Sequence, residues 1–135
     1  MSAGTFNRFE DIAIWTRARA VCREVYEVTR RGEFRLDRGL SGQLQRAAVS
    51  VMANVAEGAG RGGNREFVQF LVIARGSAAE VRSHLYVALD AGYVDADTFE
   101  RQATEVRQIE CMIGGLIVRL RATPHNGSRT KPAVP

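Results

Sequence analysis

The chain has 135 residues, of which 45% are apolar and 25% charged, a composition that is ordinary for one globular domain with a single core. No run approaches the ~20 apolar residues that a membrane span needs, and residues 1–7 lack the apolar stretch of a secretory signal, so we expect a cytoplasmic protein with no membrane contact. The net charge is +4, from 19 basic and 15 acidic residues, and Lys131 is the single lysine.

Arginine therefore carries the basic excess. Its guanidinium binds phosphate in a bidentate geometry, but a GC-rich coding bias also enriches arginine, so composition leaves both explanations open. The two cysteines, Cys22 and Cys111, are widely separated and lie in apolar runs. This arrangement excludes a CxxC metal or redox pair and predicts two buried, reduced thiols.

Helix one is predicted to follow Phe9 and to run to about residue 29, with Glu10 and Asp11 near the positive end of its dipole. Its apolar residues recur at helical spacing over a face wide enough to contact two neighbouring helices. They are Ile12, Ile14, Trp15, Ala18, Val21, Cys22, Val25 and Val28. Because Trp15 lies on this face, we interpret it as a core residue rather than as a platform for base stacking.

Residues 30–39 interrupt the apolar pattern and are predicted to form a charged loop at one end of the molecule. Helix two follows over residues 40–57, and helix three over residues 64–90 with Asn64 as its N-cap. The joint between them, residues 58–63, contains four glycines, which we expect to supply the positive φ angles that end helix two. Each helix buries too little apolar surface to be stable alone, which predicts a bundle.

Helix four is predicted to begin at Asp95 or Asp97 and to end near residue 121, after Gly92 closes helix three. Gly76 and residues 114–115, both glycine, fall inside helices three and four, where glycine costs about 1 kcal/mol relative to alanine. We expect close approach of the two backbones there, with a hinge or a ligand notch as the alternative. The tail, residues 122–135, has three prolines and no apolar period, so we expect it to be disordered after a domain of residues 1–121.

The predicted fold class is thus all-α, an antiparallel up-and-down four-helix bundle. Its expected core combines the apolar stripes of all four helices. The core residues are Trp15, Leu44, Val51, Val55, Phe70, Leu71, Val81, Leu85, Val106, Ile113 and Leu116.

Several separated motifs resemble one known family, the four-helix bundle proteins encoded within intervening sequences of some 23S ribosomal RNA genes. The motifs are residues 9–15 (FEDIAIW), 43–51 (QLQRAAVSV), 53–58 (ANVAEG), 66–71 (EFVQFL) and 76–77 (GS). The match covers about residues 6–121 in the same order, with Met52 where members often carry proline. Accessory proteins of diversity-generating retroelements are related. The resemblance implies a basic bundle that forms a homopentamer and is suspected of binding nucleic acid.

The glycine-rich joint invites comparison with phosphate-binding loops. It follows a helix instead of a strand and lacks the GxxxxGK[ST] pattern, which excludes Walker and Rossmann sites. A weaker site remains, because Arg61 and Arg65 flank the positive end of helix three, with Arg46 and Arg38 in possible reach. We predict that Arg46, Arg61 and Arg65 contact nucleic-acid phosphates; the alternative is that these arginines pair with Glu57 and Glu66 or cap helix two.

Asn54 interrupts an apolar face, and Glu57 lies one helical turn further on. We expect these two side chains to join Ser77, and Ser50 or an arginine, in a structural polar network. No Glu-x-x-His metal motif and no Ser-His-Asp pattern is present, so we expect neither an enzyme nor a cofactor or metal site.

Two classes of function stay open. One is a nucleic-acid-binding homo-oligomer, in which symmetry multiplies the modest charge of each subunit and RNA or DNA binding is salt-sensitive. The other is a protein-interaction scaffold that uses exposed apolar strips such as Val49, Met52 and Ala56 beside Val21 or Tyr26.

Overall fold

The computed structural model describes residues 8–123 as four antiparallel helices, and this part of the chain contains no strand. Each helix packs against the next one in the chain, and the fourth returns to pack against the first. The helices are α1 (Ala13–Thr29), α2 (Arg38–Ala59), α3 (Asn64–Asp90) and α4 (Ala96–Ala122), with 3₁₀ turns at Phe9–Asp11 and Phe34–Leu36. The predicted up-and-down four-helix bundle is confirmed.

Nine of the eleven residues expected in the core are buried. They are Leu44, Val51, Val55, Leu71, Val81, Leu85, Val106, Ile113 and Leu116. Trp15 and Phe70 are wrong as core residues, because both are half-buried at the edge of the core. Trp15 packs edge-on against Phe9 with ring centroids 5.1 Å apart, and Phe70 lies under the guanidinium of Arg61, 5.2 Å from the ring centroid.

Small side chains occupy the middle of the bundle. Each helix contributes two buried apolar residues, three positions apart, to a single layer around an internal void of about 10 Å³. The pairs are Ala18 and Val21, Ala48 and Val51, Ala78 and Val81, and Val106 and Ile109. The void is apolar and only about the size of one water probe, so it is expected to stay dry.

Three residues were predicted to cap the ends of α3 and α4, and two of these predictions are confirmed. Asp95 caps α4 by accepting the Thr98 N–H at 2.7 Å, which lowers the pKa of the Asp95 carboxyl. Gly92, at φ +78°, closes α3 in a Schellman arrangement, since the Tyr93 N–H donates to the Ala88 carbonyl at 2.9 Å. Asn64 is wrong as an N-cap, because it is already the first residue of α3 and Gly63 holds the capping position.

The buried side chain of Asn64 serves a different purpose. Its amide donates hydrogen bonds to the backbone carbonyls of Leu120 and Thr123 and so ties the end of α4 to the start of α3. The Leu120 carbonyl also accepts the Thr123 N–H at 3.4 Å, so the Asn64 amide supplements the capping bond at the end of α4.

The glycines at the α2–α3 joint do not act as predicted. Among the described residues only Gly32 and Gly92 have positive φ, so the joint ends α2 without left-handed backbone. Gly58 is instead buried inside α2, where an added Cβ would lie 2.8 Å from the Phe70 Cβ and 3.3 Å from the Phe67 carbonyl oxygen. This glycine therefore allows close approach of α2 and α3.

The close backbone approach expected at Gly76 and at residues 114–115 is also wrong. A Cβ on Gly76 or Gly115 would meet nothing within 4 Å, and one on Gly114 would meet only the flexible Arg75 guanidinium at 3.4 Å. Gly76 and Gly115 are exposed and Gly114 is half-buried, so these glycines lie toward the outside of the bundle.

The predicted polar network forms in part. The Asn54 amide donates to the Ser50 carbonyl at 2.8 Å and to the Ser50 hydroxyl at 3.0 Å, and that hydroxyl lies 2.8 Å from the Ser77 hydroxyl. Glu57 is wrong as a member, because it is exposed and pairs with Arg61 one turn further along α2, at 2.7 Å.

Three further expectations concern the cysteines, a membrane span and the C-terminal tail. Cys22 is buried as predicted, but Cys111 is exposed on α4. None of the helices between residues 8 and 123 combines the length and the apolar character required to cross a lipid bilayer. The disorder predicted for residues 122–135 falls, from residue 124 onward, outside the described residues, while Ala122 still belongs to α4.

Replacing Leu71 with alanine should lower the free energy of unfolding by about 2–5 kcal/mol, through lost burial and a residual cavity. Leu71 is fully buried, whereas Leu36 is 66% exposed and offers a matched Leu→Ala control expected to change stability by less than about 0.5 kcal/mol. Urea denaturation followed by circular dichroism measures both, and equal losses would contradict this packing.

A pair of glycine substitutions tests the helix contact at Gly58. Gly58→Ala should destabilise the protein by about 1–3 kcal/mol, because the new methyl group overlaps Phe67 and Phe70. Gly115→Ala enters open space and should stabilise α4 by up to about 1 kcal/mol. Thermal unfolding reports both changes, and a stabilised Gly58→Ala variant would show that α2 and α3 are further apart there.

Candidate nucleic-acid interface

The loop between α1 and α2 is held rigidly by a buried aromatic residue. Phe34 is 1% exposed and stacks on Tyr93, with ring centroids 4.9 Å apart. The Ser41 hydroxyl donates to the Phe34 carbonyl at 2.7 Å, and Asp37 caps α2 by accepting the Leu40 N–H at 3.0 Å. The charged residues of this loop therefore project from a fixed backbone, which the sequence analysis had described only as a charged loop.

Three arginines and one tyrosine form a stripe along the outer face of α1 and its C-cap residue, Arg30. Arg19, Arg23, Tyr26 and Arg30 follow at intervals of four, three and four residues, which places them on one side of the helix. Arg30 lies over the Tyr26 ring at 5.3 Å, and Arg19 over the Trp15 ring at 5.8 Å. The stripe extends about 16 Å along the helix, from Arg19 to Arg30.

The groove between α1 and α2 contains two adjoining depressions that share Arg30. The first, of about 440 Å³, has Cys22, Tyr26 and Met52 in its wall together with Arg19, Arg23, Arg30 and Glu27. The second, of about 390 Å³, is lined by Arg30, Arg35 and Arg38 with Thr29, Ser41, Gly42 and Gln45. We call this feature the α1–α2 groove; five arginines and one acidic residue line it.

The arginines of this groove are concentrated on one surface. None of the five groove arginines forms an ion pair with any residue between 8 and 123. On the α4 side three arginines pair with glutamates across helices, while Arg107, Arg119 and Arg121 of α4 form no ion pair within the described residues. The cross-helix pairs are Arg17 with Glu105 at 2.7 Å, Arg82 with Glu110, and Arg101 with Glu24 at 2.6 Å.

Pairing on the α4 side is reflected in protonation. The Arg17 guanidinium, hydrogen-bonded to Glu105, lowers the pKa of that carboxyl. Near the groove, Asp37 of the loop accepts a hydrogen bond from the Tyr93 hydroxyl at 3.0 Å. This bond, together with the nearby charge of Glu33, raises the pKa of Tyr93. Positive charge in the groove is therefore opposed within it only by Glu27, which lies 3.8 Å from Arg31.

The three arginines predicted to bind phosphate do not come together. Arg46 lies in the first half of α2, and Arg61 follows the other end of that helix in the joint, so the 13 residues from Arg46 to Ala59 alone separate them by about 20 Å along the helix axis. Arg46 is exposed, and its Nη1 lies 3.1 Å from the position that a Gly42 Cβ would take, so its guanidinium reaches the edge of the α1–α2 groove. Arg38, at the start of α2, is also far from the α2–α3 joint and belongs to the groove.

Arg61 and Arg65 both lie at the α2–α3 joint. Arg61 is held by Glu57 and by the Phe70 ring, as the structural alternative in the sequence analysis stated. Arg65 is exposed and forms no ion pair in the described part of the chain. Arg19, Arg23, Arg30 and Arg35 were not predicted as site residues. The intervals of four, three and four residues between Arg19, Arg23, Tyr26 and Arg30 indicate one helix face and could have identified three of them.

No cluster of three or more potential metal ligands occurs within residues 8–123. His84 lies 3.2 Å from Glu80 on the same helix, a surface pair one turn apart. The groove is thus lined by a row of arginines, whose guanidinium groups are suited to anions.

Comparison with known proteins places this geometry in context. The family model of the 23S rRNA-intervening sequence protein matches residues 10–115. A solved structure of a protein with unknown function, from the S23 ribosomal protein family of Bacteroides thetaiotaomicron VPI-5482, is similar with a TM-score of 0.71 at 18% sequence identity. The similarity covers 78% of this chain and 98% of that one. No match was found among curated proteins.

Proposed function

The chain belongs to the 23S rRNA-intervening sequence protein family, and from this premise we propose that it is a cytoplasmic, oligomeric bundle protein that binds nucleic acid without strong sequence preference. The observation that carries the proposal is the α1–α2 groove, where five arginines that form no ion pair within residues 8–123 line one surface. Binding rather than catalysis is the proposed role.

Phosphate backbones suit this surface for two reasons. Guanidinium groups form charge-assisted, bidentate hydrogen bonds with phosphate oxygens, and the groove arginines break no ion pair with residues 8–123 when they bind. The groove also offers few free groups for base recognition, because Gln45 already donates to Thr29 at 2.9 Å and Ser41 to the Phe34 carbonyl. The binding energy should therefore come from the backbone, which carries no sequence information.

The salt dependence of binding tests the groove. Arg30→Gln with Arg38→Gln should weaken binding of a fluorescent RNA similarly for all sequences, and should lower the slope of log K against log salt by about 0.7 for each lost phosphate contact. Fluorescence polarisation across a salt series measures both quantities.

Arg61→Gln with Arg65→Gln is the matched comparison, because it removes the same charge from the α2–α3 joint. A larger loss in this second variant would move the interface to the joint, where Arg61 and Arg65 stay predictions as phosphate contacts. If the parent protein binds neither RNA nor DNA at low salt, the scaffold alternative replaces nucleic-acid binding.

We also propose self-association, with a pentamer favoured by the family resemblance. Four large apolar side chains on α3 are 42% to 54% exposed, and they form two pairs separated by 14 residues, about four helical turns. The pairs are Val72 with Ile73, and Tyr86 with Val87. Apolar residues repeated on one helix face favour contact with another copy, and this face belongs to a helix outside the α1–α2 groove.

Ile73→Glu with Val87→Glu should convert the oligomer to a monomer of about 14.9 kDa by light scattering at micromolar concentration, because each charge would be buried at the interface. Val49→Glu on α2 changes a residue of similar exposure, 40%, in the strip that the sequence analysis favoured. Dissociation by Val49→Glu alone would place the interface on α2, and a monomeric parent protein would exclude self-association.

A further inference from the structure

The two depressions of the α1–α2 groove differ in chemistry. Apolar or weakly polar groups, Cys22, Tyr26 and Met52, form part of the first one, and guanidinium groups surround them. The second depression has hydroxyl and amide groups in place of these and is also lined by Arg30, Arg35 and Arg38. One part of the groove thus suits a flat apolar group, and the adjacent part suits an anion.

We propose that the groove binds single-stranded nucleic acid, with an unpaired base against Tyr26 and Met52 and the neighbouring phosphate among Arg30, Arg35 and Arg38. This inference rests on the nucleic-acid binding proposed above and specifies its substrate. A base inside a duplex has both faces covered by its neighbours, so only a strand with free bases can use the first depression.

The geometry around Tyr26 supports this assignment. The ring is half-buried in the α1–α2 groove, and the Arg30 guanidinium lies 5.3 Å from its centroid. Aromatic rings and guanidinium planes both stack on bases, so the Tyr26–Arg30 pair supplies two surfaces of the required kind. The depression is open to solvent, so one face of a base can lie against its wall while the strand continues along the surface.

Arg30 connects the two depressions. Its guanidinium belongs to both walls and forms no ion pair within residues 8–123, so it can contact a base and the phosphate attached to the same nucleotide. Stacking surfaces accept any base, because every base has a π face, which agrees with weak sequence preference. Arg19 and Arg23 at the far edge would bind the next phosphates along the strand.

The test uses three probes of equal length: single-stranded RNA, the same strand with abasic sites, and a blunt duplex; a fourth probe, single-stranded DNA, distinguishes the sugar. The parent protein should bind both normal single strands more tightly than the abasic strand and the duplex. Tyr26→Ala should weaken single-strand binding about 5- to 150-fold and leave abasic and duplex binding unchanged. Tyr26→Phe, which keeps the ring, should retain parent affinity.

The outcomes separate the two proposals. Equal affinity of the parent protein for abasic and normal strands overturns base stacking and leaves phosphate binding by the groove intact. This comparison uses only the parent protein, so it does not depend on whether a variant folds. A Tyr26→Ala loss that is equal for every probe also overturns it. Absence of binding to all four probes at low salt refutes nucleic-acid binding itself, and a change of oligomeric state in Tyr26→Ala would assign the groove to a second copy of the chain.

Discussion

Small side chains at the centre of the bundle set the distance between its helices. Ala18, Ala48 and Ala78 occupy one layer on α1, α2 and α3, while α4 fills the fourth side with Val106 and Ile109. The separation of two packed helices depends on the side chains at their contact, so alanine on three helices permits close axes. Close axes leave only shallow grooves outside, and the long arginines of α1 and α2 therefore lie beside one another at the surface instead of between the helices.

The distribution of acidic residues decides which arginines can meet a ligand. An arginine held by a carboxylate must lose that pair before it binds phosphate, and exposed pairs contribute little to stability, about 0–1 kcal/mol. Glutamates on α1 and α4 hold Arg17, Arg82 and Arg101, so these three arginines on the α4 side are already paired. The α1–α2 groove has a single acid, Glu27, in its lining. A small net charge therefore coexists with a strongly basic local surface, which the composition alone cannot reveal.

Helical spacing was sufficient to predict the four helices, most of the core and the position of the caps at Asp95 and Gly92. It failed where a residue type has more than one use. Gly58 was expected to end α2 through its backbone freedom. In the structure its missing Cβ instead leaves room for Phe67, and this depends on how α2 and α3 pack together. The predicted arginine site was wrong for a similar reason. Arg61 and Arg65 were grouped because they are close in sequence. In the structure the antiparallel return of α2 brings Arg38 next to Arg30, and buried Phe34 fixes the turn between them.

Binding by one groove alone is expected to be weak and salt-sensitive, because five arginines can contact only a few phosphates. Self-association would increase the affinity, because several grooves could contact one strand. Five chains of +4 give a net charge of +20, and a strand held by one groove meets the next at a high effective concentration. The gain depends on geometry: the exposed apolar residues of α3 must mediate assembly while α1 and α2 remain open. The surface that assembles the protein and the surface that binds the strand should therefore be separable by mutation, and losing assembly should weaken binding of long strands far more than binding of short ones.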